Sequence, residues 1–230
     1  THINLDHAGS IGHLAEMFPQ ARIACHEKAL PHLQDPSKLW EGSLKTLGNV
    51  AEVYGRIEPV PGDRLDTSKQ IPFAEGIDVI DTPGHAPHHL CFAFRDRLFA
   101  GELFGVFRDL GDIFYLRPAT PPKFIADTFF QSMDRAMPYT NRHLYFGHYG
   151  TNPDGSEIAA SAKQQLQLWI SVVSEHLDNP DTDKIIADLL QRDSLFNRIN
   201  QLGPKNYQRE LYFVKNTING IYKYLKDREK

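Results

Sequence analysis

The sequence predicts an α/β fold, and three features of its 230 residues carry that prediction. Short apolar runs at 77–81, 90–94, 97–100 and 143–146 read as strands, each ending in a turn marked by Gly, Pro or Asp. Segments between and after them place apolar residues at steps of three and four, the spacing of one helix face. A content of 41% hydrophobic residues, with 16 Gly and 15 Pro, suits a packed chain with many turns. Residues 1–155 read as one mixed domain and residues 156–230 as a helical extension.

In chain order, Ile11 to Phe18 has helical spacing and Pro19 stops it, while Ala21 to Cys25 resembles a short buried strand. Residues 34–50 are polar around an isolated Trp40 and read as a surface excursion or lid. Pro61-Gly62-Asp63 marks a tight turn. Ile77-Asp78-Val79-Ile80-Asp81 then alternates as a strand does before Thr82-Pro83-Gly84-His85. Leu90 to Phe94 and Arg97 to Ala100 form a hairpin joined at Arg95-Asp96. Residues 104–122, with Phe104, Phe107, Phe114, Tyr115 and three prolines, read as an irregular aromatic loop whose rings wall a pocket. A helix follows over Lys123 to Met137, then a strand over His143 to Phe146. Beyond Ser156, Leu166, Ile170, Val173 and Leu177 form one amphipathic stripe, and Leu211, Val214, Ile218, Ile221 and Leu225 another.

Composition excludes several classes. The apolar fraction is too high for a disordered chain, and no run of about 18 apolar residues exists to span a bilayer. Cys25 and Cys91 make neither a disulfide framework nor a zinc motif, so the expected setting is reducing and cytoplasmic. The formal charge is −4, yet residues 205–230 carry seven Lys/Arg against three Asp/Glu. A basic terminal helix admits nucleic acid, but its apolar stripe needs a packing partner first. The sandwich, the 156–178 helix or a second copy can supply it, so the expected partners are a small-molecule substrate and a homodimer through the C-terminal helices, with no membrane and no nucleic acid.

The surplus residue is histidine, with 11 copies, several beside Asp, Gly and Pro. In His2-x-Asn4-x-Asp6-His7, an extended backbone would put His2, Asn4 and Asp6 on one face and turn His7 away. One short segment could then serve two metal ions. His85 after Pro83-Gly84, Glu102 after Gly101 and His148 after Gly147 each stand where a strand ends in a glycine turn, the place where a rigid sheet presents reactive groups. Any one of them alone is as readily a hydrogen-bonded structural residue; the set is not.

These segments, Thr-His-x-Asn-x-Asp-His-x-Gly at 1–9, Asp-Thr-Pro-Gly-His-x-Pro-x-His at 81–89, Ala-Gly-Glu-Leu-Phe at 100–104 and Phe-Gly-His at 146–148, resemble the metallo-β-lactamase superfamily in composition and order. Glyoxalase II, the lactonases, the persulfide dioxygenases and the flavodiiron proteins are members. The resemblance covers roughly residues 1–150 and implies a four-layer αββα sandwich. It also implies that His2, Asn4 and His85 hold one metal, that Asp6, His7 and His148 hold a second, and that Glu102 bridges them. Two divalent ions follow, zinc first, with iron or manganese feasible. The implied activity is metal-dependent hydrolysis of a small ester, thioester or lactone by a metal-bound hydroxide, which Asp6 would orient as the catalytic residue. An iron-dependent oxidoreductase and a non-catalytic protein with a decayed site are the alternatives. No inserted domain of the kind the family's nucleases carry is evident.

The pattern departs from the family in three places. Asn4 stands where a histidine is usual, weakening one metal position, and Glu102 stands where aspartate is usual, longer by one C–C bond of about 1.5 Å. The family's strands before the first motif have no counterpart, so we expect the natural polypeptide to carry several strands ahead of Thr1. Around this core, His89 reads as a structural neighbour of the ligands, His13 and Tyr149 as hydrogen-bonding candidates, and Arg108 and Arg117 as candidate clamps for an anionic group.

Overall fold

The computed structural model describes residues 1–69, 71 and 74–228. Its short opening helices are α1 (Leu5–Ala8) and α2 (Ile11–Met17), the second broken before Pro19 as its sequence dictates. Strand β1 (Ile23–Ala24) follows, then helices α3 (Leu30–Gln34), α4 (Ser37–Leu47) and α5 (Asn49–Tyr54) and strand β2 (Leu65–Asp66), which pairs with β1 in parallel. The expected lid over 34–50 is therefore helical. Leu39, Trp40, Leu44 and Leu47 recur at helical intervals and pack against buried Leu5, Ala51 and Ile57. Polar residues at the other positions of α4 hid that stripe from a reading based on overall polarity.

The main sheet contains β3 (Ile77–Asp81), β4 (Leu90–Phe94), β5 (Arg97–Gly101), β8 (His143–Phe146) and β9 (Thr151–Asn152) in the order β3-β4-β5-β8-β9. Strands β3, β4 and β5 run antiparallel, with the β4–β5 turn at Arg95, whose φ is 55°. Strand β8 joins β5 in parallel, which requires a crossover. Helix α6 (Ala126–Ala136) lies on that crossover and buries Phe129, Met133 and Ala136, a face of three- and four-residue steps. Leu98, Ala100, Ala93 and Leu144 are the inward side chains of the sheet.

Residues 104–122 are not an irregular loop. Strands β6 (Val106–Asp109) and β7 (Phe114–Arg117) pair as an antiparallel hairpin, and the prolines fall beyond β7. Phe104, Phe107 and Tyr115 are buried in the main core instead of walling an open pocket, and Phe104 borders only a small internal void beside Phe129 and Leu166. Strand β7 buries Tyr115, Leu116 and Arg117 in succession, so period-2 alternation, the signal of a half-buried strand, is missing.

The helical part comprises α7 (Gly155–Glu175), α8 (Thr182–Arg192), α9 (Ser194–Asn197) and α10 (Pro204–Arg228). The buried face of α7 centres on Ile158, Ala162, Leu166, Trp169 and Val173; Ile170 is half-buried, and Leu177 lies past the helix end. Helix α10 buries Val214, Ile218 and Ile221, as its stripe predicts, and packs on α7 within the same chain. These residues share one core with the main sheet. Glu229 and Lys230, the end of the basic segment, lie outside the described residues. Among the described residues no helix is long and apolar enough to cross a membrane.

Candidate metal centre

The opening segment hangs on the rim of the main sheet. The Thr1 carbonyl accepts the Leu90 N–H at 2.8 Å, which places His2, only 5% exposed, on the rim where β4 begins and β3 and β5 end. The extended run expected from His2 to Asp6 is absent. The chain is extended only to Asn4 (φ −59°, ψ 152°) and then turns helical, with the Asn4 carbonyl receiving the N–H groups of His7 and Ala8 at 2.9 Å each. His2, Asn4 and Asp6 therefore do not share a strand face. Asn4 is exposed, whereas a single helical turn brings Asp6 and His7 toward the same centre.

Six of the seven candidate ligands fall into two groups whose donor atoms lie within 4.8 Å of one another: His2, His85 and Glu102, and Asp6, His7 and His148. Glu102 also touches the second group. Its Oε2 lies 2.9 Å from His85 Nε2, 3.3 Å from His7 Nε2 and 3.4 Å from His2 Nε2, and its Oε1 lies 3.5 Å from His148 Nε2. Asp6 Oδ2 lies 3.5 Å from His148 and 3.6 Å from His7. The extra C–C bond of glutamate thus carries the carboxylate between both clusters.

Close backbone packing explains the glycine before each ligand. Gly147 donates its N–H to the Gly101 carbonyl at 2.7 Å, and a Cβ on Gly147 would meet His7 Cε1 at 3.0 Å. At Gly101 the φ of +54° favours glycine, and a Cβ would lie 2.5 Å from His89 Nε2. His85 Nδ1 donates to the Ala119 carbonyl at 2.8 Å, which turns Nε2 and its lone pair toward the centre. His89, fully buried, receives the Glu102 N–H on Nε2 at 3.4 Å and donates from Nδ1 to Thr82 Oγ1 at 2.9 Å. It therefore holds the backbone at Glu102, the structural part its sequence position implied.

Electrostatics favour a cation at this place. Burial opposes charge on Glu102, but the attraction of His85 and the close approach of the His148 and His7 rings outweigh it and hold the carboxyl well below the usual range. Burial, then the neighbouring His85, His89 and His7, drives His2 well below its ordinary value, so its imidazole is neutral. The Glu102 hydrogen bond raises His148, and at His85 the attraction of Glu102 overcomes burial. Nε2 of His2, His7 and His85 is buried without a hydrogen bond of sound geometry. Three orphaned imidazole nitrogens and an ionised carboxylate converging on one point are the donor set that divalent ions satisfy. The residues present fit two such ions.

Some candidates lie elsewhere. His13 is exposed on α2. Arg117 does not clamp an external anion: its Nε donates to Glu210 Oε2 at 2.5 Å, and the Tyr115 hydroxyl donates to the same oxygen at 3.3 Å. This buried pair joins β7 to α10 across 93 residues of sequence, which no local pattern could reveal. Thr82 and the Ala119 carbonyl were likewise not singled out by sequence. Thr82 lies inside the Asp-Thr-Pro-Gly-His motif, whereas the carbonyl has no sequence signal at all.

Residues 1–148 match the family model of the metallo-beta-lactamase superfamily. The chain belongs to this superfamily. A metallo-beta-lactamase fold-containing protein from Sulfurisphaera tokodaii, ST1585, is 29% identical over 163 residues, which are 65% of this chain and 59% of that protein. The chain thus spans about three fifths of that relative's length. The crystal structure of ST1585 superposes with a TM-score of 0.65 at 21% identity, covering 99% of this chain and 78% of that one. The metallo-beta-lactamase family protein TTHA1429 from Thermus thermophilus superposes with a TM-score of 0.55 at 20% identity, covering 96% and 71%. The superfamily binds divalent metals, and most of its members are hydrolases.

Proposed function

We propose that the protein is a binuclear metal-dependent hydrolase of a small ester, thioester or lactone. His2, His85 and Glu102 hold one ion, Asp6, His7 and His148 hold the other, and Glu102 spans the two, while the exposed Asn4 contributes no ligand. The observation that carries this reading is the convergence of three unpartnered Nε2 atoms on the Glu102 carboxylate. When bound, the ions supply Lewis acidity that polarises a carbonyl and makes water acidic enough to deprotonate near neutral pH.

The chain supplies the rest. The Asp6 carboxylate, a third exposed, stands between the ligand cluster and solvent, where it accepts a hydrogen bond from the attacking water and orients it. The Ala119 carbonyl fixes the His85 ring, and His89 fixes the Glu102 backbone, so neither ligand must reorganise during the reaction. Zinc is the first expectation for an imidazole and carboxylate set.

Metal analysis of protein purified without added metal, followed by assay against a phenyl ester, a thioester and a lactone, tests the proposal. Two zinc equivalents, with hydrolysis abolished by chelation and restored by zinc, are expected. Iron without hydrolysis would favour the oxidoreductase reading instead. Metal content unchanged in His85→Ala would point to a decayed site.

A further inference from the structure

Arg108, on β6, is a half-buried cation with one edge of its guanidinium left without an acceptor. Its Nε and Nη2 are both inaccessible and, among the described residues, neither has a hydrogen-bond partner. Those two nitrogens form the edge that presents two parallel N–H groups to both oxygens of a carboxylate or phosphate. Arg108 Cζ lies 3.8 Å over the Tyr149 ring, and Arg209 Cζ, from α10, lies 5.4 Å from the same ring. Two like charges thus share one aromatic ring. Among the described residues neither arginine has a salt bridge; Arg209 Nη2 donates only to Asn206 Oδ1, at 3.2 Å.

The place matters as much as the charge. Tyr149 follows the candidate ligand His148, and their ring centroids are 5.8 Å apart. Tyr149 has a φ of 62°, a left-handed backbone that a bulky residue adopts only where its surroundings hold it, and it remains 46% exposed at the rim of the centre. Arg209 is exposed and immediately precedes Glu210, whose buried pairing with Arg117 fixes that turn of α10.

We infer that Arg108, Tyr149 and Arg209 form an anion subsite beside the metal centre, which holds a carboxylate or phosphate group of the substrate while its acyl carbon meets the centre. The word substrate rests on the hydrolase reading; the subsite itself does not. In the present conformation Tyr149 covers the Arg108 guanidinium. Because that ring is partly exposed, its side chain can swing off the guanidinium face and admit an anion to Arg108, a fast motion on the scale of turnover. Arg209 then closes over the anion from the α10 side.

Calorimetry on the zinc-loaded protein tests the subsite without requiring turnover. The probes are glutarate and 3-phosphonopropionate, compared with glutaramate, the monoamide that keeps the length of glutarate but carries one carboxylate. One of the two dianions is expected to bind at least tenfold more tightly than glutaramate. Arg108→Gln and Arg209→Gln should each reduce that excess fivefold or more, and Arg108→Lys should recover less than half of it, because an ammonium cannot offer two parallel N–H groups. Circular dichroism checks folding; exposed Arg209 keeps the test open if the Arg108 variants do not fold. Equal binding of all three probes, or an excess retained in both Gln variants, overturns the inference. Absence of hydrolysis with every ester would sink the hydrolase reading and leave this binding result standing.

Discussion

Replacing Glu210 by Gln tests how α10 is fastened to the sheet domain. Glu210 is 1% exposed and Arg117 5% exposed, and they meet at 2.5 Å with the Tyr115 hydroxyl as a third partner. Gln keeps the shape but removes the charge, leaving a buried guanidinium uncompensated. Breaking a buried pair from one side costs about 3–5 kcal/mol, far above the roughly 0–1 kcal/mol of an exposed pair. For a chain of this size each kcal/mol lowers Tm by about 2–4 °C, so a fall of roughly 10 °C is expected in a calorimetric scan. Urea unfolding gives the same quantity by a second route. The double variant Arg117→Met with Glu210→Leu removes both charges and should recover most of the loss, because apolar replacements of buried pairs are neutral or better. A cost below about 1 kcal/mol for Glu210→Gln, on the scale of exposed pairs, would refute the reasoning.

Gly101→Ala should destabilise by more than about 2 kcal/mol, from a left-handed backbone penalty of about 1–2 kcal/mol and displacement of His89; wild-type urea stability would contradict it. Chelation should lower Tm, since an ion present at about 100 times its Kd adds about 2.7 kcal/mol per site, and an unchanged Tm in EDTA would count against metal binding altogether. Burial, with His26 and His32 nearby, pushes the His88 pKa down to about 4, below its ordinary value. The unfolded chain therefore binds the proton first as pH falls, so the contribution of His88 is full above about pH 6.5 and disappears on the way down to about 4. For a partly exposed ring this amounts to about 1–2 kcal/mol. In His88→Gln the stability curve should flatten over that interval, and parallel curves for the two proteins would disprove the assignment.

Strands β3, β4 and β5 were legible without coordinates. Ile77–Asp81 alternates apolar and acidic residues, whereas Leu90–Phe94 and the β5 run were legible as short apolar runs closed by the Arg95-Asp96 turn. The hairpin at 106–117 was not legible, because β7 is covered on both faces and its neighbours give no alternation. Trp169 escaped the α7 stripe for a related reason. A helix packed between a sheet and other helices buries a wide arc, and a single line of residues at 166, 170 and 173 samples only its edge.

For the site, the ligand types and their glycine neighbours were carried by the sequence itself, since each metal-binding chemistry needs particular side chains and each close backbone approach excludes a Cβ. His2, Asn4, Asp6, His7, His85, Glu102 and His148 were singled out from their residue types and turns, and their division between two ions came from the family resemblance; all but Asn4 come together in the two clusters. Their mutual distances, the turn that leaves Asn4 exposed, the Ala119 carbonyl that aims His85 and the Arg117–Glu210 pair were decided only by tertiary structure. A carbonyl carries no residue identity, and a contact spanning 93 residues exists only once loops have closed and burial has stripped water from both charges.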